Sequence, residues 1–352
     1  MSLGLDDVVV AQTQLSHVDG AAGRLIVRGH ELAEIARWRF EDVLALLWGR
    51  LGGGVALLGE ARVRAFALLR RAPRDVGAAS AVEEVRTLLS LLDDAETLPH
   101  HVLAVGAMGV FVAAVGRRRA GGELVAPDPA LSHVEDVLRM LRGVPAPGEH
   151  ARALETYLNT VADHGLNAST FAARVIASTD TGVFSSVLGA LCALKGRRHG
   201  GAPGPVLDML DAIGTDAKAD AWLGAALDRG EKLMGFGHRV YRVRDPRADV
   251  LRDVVRSLRG DDNRIVFAEQ VEAAALRLLA ARKPTRRLDT NVEFFTALLL
   301  EALAIPRDLF TPTFAVGRVA GWTAHVLEQM DGGRLIRPQS RYIGPPAPSA
   351  SA

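Results

Sequence analysis

The chain has 352 residues, a formal net charge of +1 and a single cysteine. That length suits one large domain with a smaller one beside it, and the balanced charge argues against a nucleic-acid or membrane surface, so any anion must be held by local cation clusters. The lone Cys192 excludes an internal disulfide, points to a reducing compartment, and reads as a small buried hydrophobe in the apolar stretch Val187 to Leu194.

The opening segment, Met1 to Asp7, has two acids and no basic run. It does not read as a secretory signal, and the expected location is cytoplasmic. The run from Val8 to Leu15 is β-branched and partly alternating, and Asp19-Gly20 followed by Leu25-Ile-Val27 predicts a small hairpin or loop pair. Helical spacing then takes over. Leu44, Leu47, Trp48 and Leu51 recur at steps of three and four, as do Val82, Val85, Leu89 and Leu92, and later Val134, Val137, Leu138 and Leu141. Val102 to Gly116 is uncharged for fifteen residues. That is short of the roughly 18 to 20 needed to cross a bilayer, and it reads as a buried core helix. Leu154, Leu158 and Val161 continue the pattern, and Phe171 to Leu194 is apolar enough for helices buried on several sides.

Breaks rich in Gly, Pro or charge fall at 121–129, 143–148, 200–205, 259–262 and 282–287. The tail from Gly344 lacks large apolar residues and is expected to be disordered. There is no internal repeat and no metal-ligand spacing. The fold class is therefore all-α and multi-helical, with at most a marginal hairpin.

The most specific stretch is Gly235-Phe-Gly-His-Arg-Val-Tyr-Arg-Val-Arg-Asp-Pro-Arg247. Two glycines allow close backbone approach, His238 can exchange a proton near neutrality, and Arg247 offers a fork that matches a carboxylate. A basic surface turn is the plain alternative. The stretch resembles the signature of the citrate synthase family at Gly235, Gly237, His238, Val240, Arg242, Asp245, Pro246 and Arg247. His199-Gly-Gly-Ala202 resembles that family's other histidine loop, Asn291-Val-Glu293-Phe294 its carboxylate segment, and Val18-Asp-Gly20 through Arg28-Gly29 its amino-terminal turn. The resemblance covers nearly the whole chain.

The resemblance implies a large helical domain, residues 1–200 with 305–352, and a small one, residues 201–304, closing over the substrates. It also implies the shorter, dimeric branch of the family. By the same resemblance Glu293 is the base that enolises acetyl-CoA, His199 hydrogen-bonds the enol oxygen, and His238 polarises the oxaloacetate carbonyl. His164, Arg247, Arg318 and Arg337 would bind oxaloacetate, with Arg337 reaching across from the second subunit. Coenzyme A, a co-substrate rather than a resident cofactor, would meet Met234, Gly235, Gly237, Arg242 and Asn291; Asn291 could equally be a helix cap. No metal is implied, nor any nucleic-acid or membrane partner.

Four positions depart from or sit outside this pattern. Glu293 stands where the family usually has Asp, one methylene longer, and Gly165 replaces the usual acid after His164. Ala202-Pro203 replaces the commoner Ala-Asn, and His325 reads as a packing histidine. Two further readings stay open: 2-methylcitrate synthase, which uses propionyl-CoA, and a non-catalytic paralogue that binds CoA or a dicarboxylate.

Overall fold

The structure is a computed structural model that describes residues 8–72, 80–196, 199–200, 203–259 and 262–345. It opens with a small antiparallel sheet, β1 (Ser16–Asp19), β2 (Arg24–Val27) and β3 (His30–Glu31). Asp19 builds the first turn, its Oδ1 accepting the N–H groups of Ala21 and Ala22 at 3.0 and 2.9 Å. The sequence predicts this hairpin but not the third strand. β3 depends on a two-residue turn at Arg28 and Gly29, where φ is 49° and 89°, and a left-handed arginine leaves no compositional trace.

Helices follow: α1 (Leu32–Ile35), α2 (Phe40–Trp48), α3 (Leu58–Leu69), α4 (Ala81–Leu89), α5 (His100–Arg119), α6 (His133–Arg142) and α7 (Gly148–Val161). Next come α8 (Ala168–Ala177), α9 (Val183–Leu194), α10 (Pro203–Ile213), α11 (Asp216–Asp228), α12 (Pro246–Arg259), α13 (Asn263–Arg282), α14 (Val292–Ala302) and α15 (Phe310–Met330). The apolar steps read from the sequence fall in α2, α4, α6 and α7. α6 also carries a full capping box between Ser132 and Glu135 and ends on Gly143 in the left-handed region. α10 begins inside the predicted break 200–205, since a proline is tolerated in the first turn, where its missing N–H has no intrahelical partner. Residues 260–261, in another predicted break, and most of the tail, 346–352, lie outside the described residues.

Two long helices make the centre. α5 is long and apolar enough to span a bilayer, yet His101 to Gly116 are all buried inside the protein. α15 packs on α5 and also touches α2, α7, α8 and α9, with every residue from Pro312 to Val326 buried. Glycines let α15 approach the end of α7. A Cβ on Gly321 would lie 2.3 Å from the Ala162 carbonyl oxygen, and one on Gly317 would lie 2.8 Å from that of Leu158. The Gly321 N–H donates to the Ala162 oxygen at 3.0 Å. Gly321→Ala is therefore expected to cost about 1–3 kcal/mol by overpacking, read from the urea midpoint at unchanged slope.

α10, α11, α12, α13 and α14 pack mainly on one another, with α12 also seated on α7. α8 and α9 pair tightly and turn an outer face to the surface. Cys192 sits on that face and is exposed, against the sequence expectation: α9 buries Leu191 and Leu194 on its inner side, and position 192 rotates outward.

Candidate active site

Pairing of two distant segments creates the site. Phe236 bridges Thr290, Gly237 N–H donates to the Asp289 oxygen at 2.7 Å, and Asn291 N–H donates to the Gly235 oxygen at 2.9 Å. Glycine is required at both signature positions. Gly235 and Gly237 have φ of 85° and 80°, and a Cβ on either would come within 2.9 Å of Phe294 or Leu288. Asn291 spends its amide on this junction, its Nδ2 donating to the Gly237 oxygen at 2.8 Å and its Oδ1 capping the Glu293 N–H at 3.0 Å. Of its two readings, the helix cap is therefore the one observed. The amino-terminal turn packs on the same loop: Arg242 N–H donates to the Gly20 oxygen at 2.8 Å, and a Cβ on Gly20 would strike the Val240 oxygen at 2.3 Å.

His238 is held in one tautomer. Its Nδ1 accepts the N–H groups of Val240 and Tyr241 at 3.0 and 3.1 Å, so in the neutral ring the proton sits on Nε2. Burial, and then the Arg247 charge, push its pKa down to about 4, which keeps the ring neutral at pH 7. Arg247 Nη2 also faces that Nε2, at 3.3 Å the longest of the three contacts, so the two closer backbone N–H groups decide the tautomer. The guanidinium is buried and gripped by Asp245, with Nε 3.0 Å from Oδ1 and Nη2 2.8 Å from Oδ2. Asp245 Oδ2 also accepts the Val292 N–H at 3.1 Å, tying this fork to the start of α14.

His199 is oriented from α8. Its Nε2 accepts the Ser169 N–H at 3.3 Å, which places the ring proton on Nδ1, and lies 2.8 Å from Ser169 Oγ, whose own proton also reaches Asn167 Oδ1 at 2.8 Å. Burial and Arg318 push its pKa down to about 4. Trp322 Nε1 donates to the Ser169 oxygen at 3.1 Å, locking the serine against α15. Gly201 and Ala202, the rest of this histidine loop, lie outside the described residues.

Glu293 opens α14 and is only partly buried, with Oε2 buried and unpartnered. Desolvation, opposed by Arg247 and aided by Asp245, raises its pKa to about 7. A sequence in the first turn of a helix also allows an exposed, solvated glutamate, and the structure does not place it so. Tyr157, fully buried on α7, turns an unpartnered hydroxyl toward Thr296 and Glu293. Burial, then the Glu293 charge, pushes that phenol well above its usual range.

Arg318 and His164 complete the cluster. Arg318 is buried on α15, donates from Nε to the Val161 oxygen at 2.6 Å and stacks 4.8 Å over Phe314. Burial lowers its pKa to about 10, still charged at neutrality, and its field reaches His164, His199 and Glu293. His164 Nε2 lies 3.1 Å from the Tyr241 hydroxyl and its ring centroid 5.5 Å from that of His238. Burial, then Arg247 and Arg318, hold His164 well below its usual range, so it too is neutral.

Of the other sequence candidates, Met234 is partly buried against the core, and Arg242 is exposed. Arg337 is not brought to the cluster. It lines a cavity of about 1250 Å³ between the segment from Val8 to Gln14 and the extended stretch after α15, and makes no hydrogen bond or ion pair with another described residue. Among the described residues no group of three or more metal-ligating side chains converges. Ser169, Tyr241 and Tyr157 were not singled out from the sequence; Tyr241 lies inside the signature, whereas the other two become neighbours of the histidines and the glutamate only through helix packing.

The family described as citrate synthase, C-terminal domain, matches residues 4–339. The chain belongs to the citrate synthase family. A citrate synthase of Haloferax volcanii is 37% identical over 367 residues, covering 97% of this chain and 95% of that one. A 2-methylcitrate synthase of Mycobacterium tuberculosis is 36% identical over 363 residues, covering 97% and 90%. Among solved structures, the ternary complex of Thermoplasma acidophilum citrate synthase with carboxymethyl coenzyme A and oxaloacetate superposes with a TM-score of 0.86 at 27% identity, covering 99% and 97%. The helical fold and an enzyme of the citrate synthase type follow from these matches.

Proposed function

We propose that this citrate synthase-type enzyme condenses an acyl-CoA thioester, acetyl-CoA first, with oxaloacetate and releases CoA and citrate. Glu293 takes a proton from the thioester methyl. His199 donates from Nδ1 to the enol oxygen as it forms, and His238 donates from Nε2 to the oxaloacetate ketone. The new carbon–carbon bond forms at that ketone carbon, its oxygen takes up a proton, and water then cleaves the citryl thioester. Neutral imidazoles suit both donor roles, because neither can be stripped of the N–H that its locked tautomer presents.

Oxaloacetate carries two carboxylates, and His164, Arg247 and Arg318 surround the place where His238 and Arg247 converge. Arg337 joins them from a second copy of the chain. That assignment rests on its position in an extended segment, without a partner of its own and away from the cluster in its own chain. The acyl-CoA lies along Met234, Gly235 and Gly237, with the exposed Arg242 meeting a phosphate. Residues 201–304 form the unit that closes, since His238, Arg247 and Glu293 come from it while His164, His199 and Arg318 come from the rest.

The observation that carries this reading is a carboxyl of pKa about 7 set among two arginines and histidines fixed as neutral donors. A base must be ionised, so kcat/KM is expected to fall about tenfold per pH unit below pH 7, as Glu293 takes up its proton. His199 and His238 add no second limb above pH 5, because both titrate near 4. A profile flat from pH 8 to pH 5 contradicts the assignment. The 36% identity to a 2-methylcitrate synthase supports propionyl-CoA as a second donor. One methylene is worth about 1–3 kcal/mol of discrimination, so rates for the two donors measured in one competition assay decide between them.

A further inference from the structure

Behind the site runs a buried chain of polar side chains that the proposed chemistry does not use. Arg174, on α8, donates from Nη1 to Glu328 Oε2 at 2.6 Å and to His325 Nδ1 at 3.0 Å, and from Nε to Gln329 Oε1 at 3.1 Å. A guanidinium has donors only. Nδ1 of His325 therefore presents its lone pair, and the ring proton sits on Nε2, which faces Asp163 Oδ1 at 3.2 Å, in ion-pair range but outside hydrogen-bond geometry. His325 is fully buried, and Arg174 and Asp163 nearly so.

Asp163 is held on its other side as well. The Ser16 hydroxyl, from β1, bonds Oδ2, and Ser16 Oγ accepts the Gly165 N–H at 2.9 Å. Burial pushes the Asp163 carboxyl up, but His325, Ser16 and Arg318 outweigh it and keep it ionised. Arg318 is thus a nearby cation that Asp163 can draw on. At the far end of the chain, Glu328 Oε1 accepts the Gln14 N–H at 2.8 Å and Gln329 Nε2 donates to the Arg334 oxygen at 3.0 Å, three residues before Arg337.

We infer that His325 is a positioning residue for dicarboxylate binding: its Nε2–H occupies Asp163, so that Arg318 remains turned to the substrate and the His164 loop stays in register. Without that N–H, the buried Asp163 Oδ1 loses the polar group that faces it at 3.2 Å, and Arg318 is the cation placed to replace it. Through Arg174 the same histidine ties the His164 loop to the segment that carries Arg337. This inference rests on the proposed binding of oxaloacetate by Arg318 and His164.

The test is oxaloacetate affinity by calorimetry, with KM, kcat and melting temperature, in His325→Phe, His325→Gln and Ser16→Ala of the full chain. His325→Phe is expected to weaken oxaloacetate about 10- to 100-fold, the size of one lost polar contact to a buried charge, with acyl-CoA affinity unchanged and kcat at saturation altered far less than KM. His325→Gln restores most of the loss, since its amide offers an N–H to Asp163 and an oxygen to Arg174. Ser16→Ala, which frees the other Asp163 oxygen at a surface hairpin, weakens oxaloacetate in the same direction and decides the matter should the phenylalanine variant not fold. A lower melting temperature with unchanged oxaloacetate affinity overturns the inference, as does a glutamine variant no better than phenylalanine. Wild-type protein that binds oxaloacetate but releases no CoA overturns the condensation reading and leaves this comparison intact; wild type that does not bind oxaloacetate overturns both.

Discussion

Glu293→Gln is expected to lower oxaloacetate-dependent CoA release by about 10²- to 10⁴-fold, the usual worth of a positioned base, while leaving oxaloacetate affinity little changed. Glutamine keeps the length and the packing against Tyr157 and removes only the proton acceptor. The acid limb near pH 7 disappears with it, because among the described residues of the cluster His164, His199 and His238 all lie well below that range. Glu293→Asp is the sharper comparison. The Asn291 cap and the Asp245 bond to the Val292 N–H fix the helix start, so a shorter carboxylate cannot recover its reach by moving the backbone. A retreat of about 1 Å costs on the order of 10²-fold in rate. Single-turnover rates of the two variants check this, and an aspartate variant as fast as wild type removes the argument that the cleft is fitted to the longer side chain.

Arg247→Met is expected to damage both binding and fold. Truncating one partner of a buried charged pair costs about 2–5 kcal/mol, which corresponds to a loss in oxaloacetate affinity of about 30-fold to several thousandfold. Asp245 would be left buried beside the start of α14 without its cation, so the chemical-denaturation midpoint should fall as well. Arg247→Lys separates the two effects. It retains the charge that stabilises Asp245 but loses the planar fork, so stability recovers more than affinity does. Calorimetry and denaturation on the same samples provide both readouts, and a methionine variant with normal oxaloacetate affinity removes Arg247 from the binding site.

What the sequence made legible divides by range. Helical spacing found α2, α4, α6 and α7, and the charge-free stretch 102–116 found the core of α5, because burial of one face, or of every face, is written in local apolar order. Gly235 and Gly237 were readable as close-approach positions, and their positive φ and crowding against Phe294 and Leu288 give the physical reason. Arg318 looked like any arginine of an arginine-rich chain. Its burial depends on α15 being packed against α2, α4, α5, α7, α8, α9 and α10, which no window of sequence contains.

The network that orients the histidines was not legible either. Ser169 stands 30 residues from His199, Ser16 stands 147 from Asp163, and Arg174 stands 151 from His325, so each contact exists only after the helices dock. Cys192 went wrong for a related reason: an apolar run surrounding a cysteine does not say which way the helix faces. The acid missing after His164 found its explanation in the fold. Gly165 adopts φ of 60°, and its N–H meets Ser16, so that position works through backbone.

The proposed joining of two carbon skeletons at Glu293, His199 and His238 has a direct readout in its product. Purified protein is incubated with methyl-labelled acetyl-CoA and oxaloacetate, and the labelled product is identified by mass spectrometry. Label is expected in citrate, one molecule for each CoA released, and none without oxaloacetate. Label recovered as free acetate, or left in acetyl-CoA by a folded protein that binds oxaloacetate, contradicts that joining.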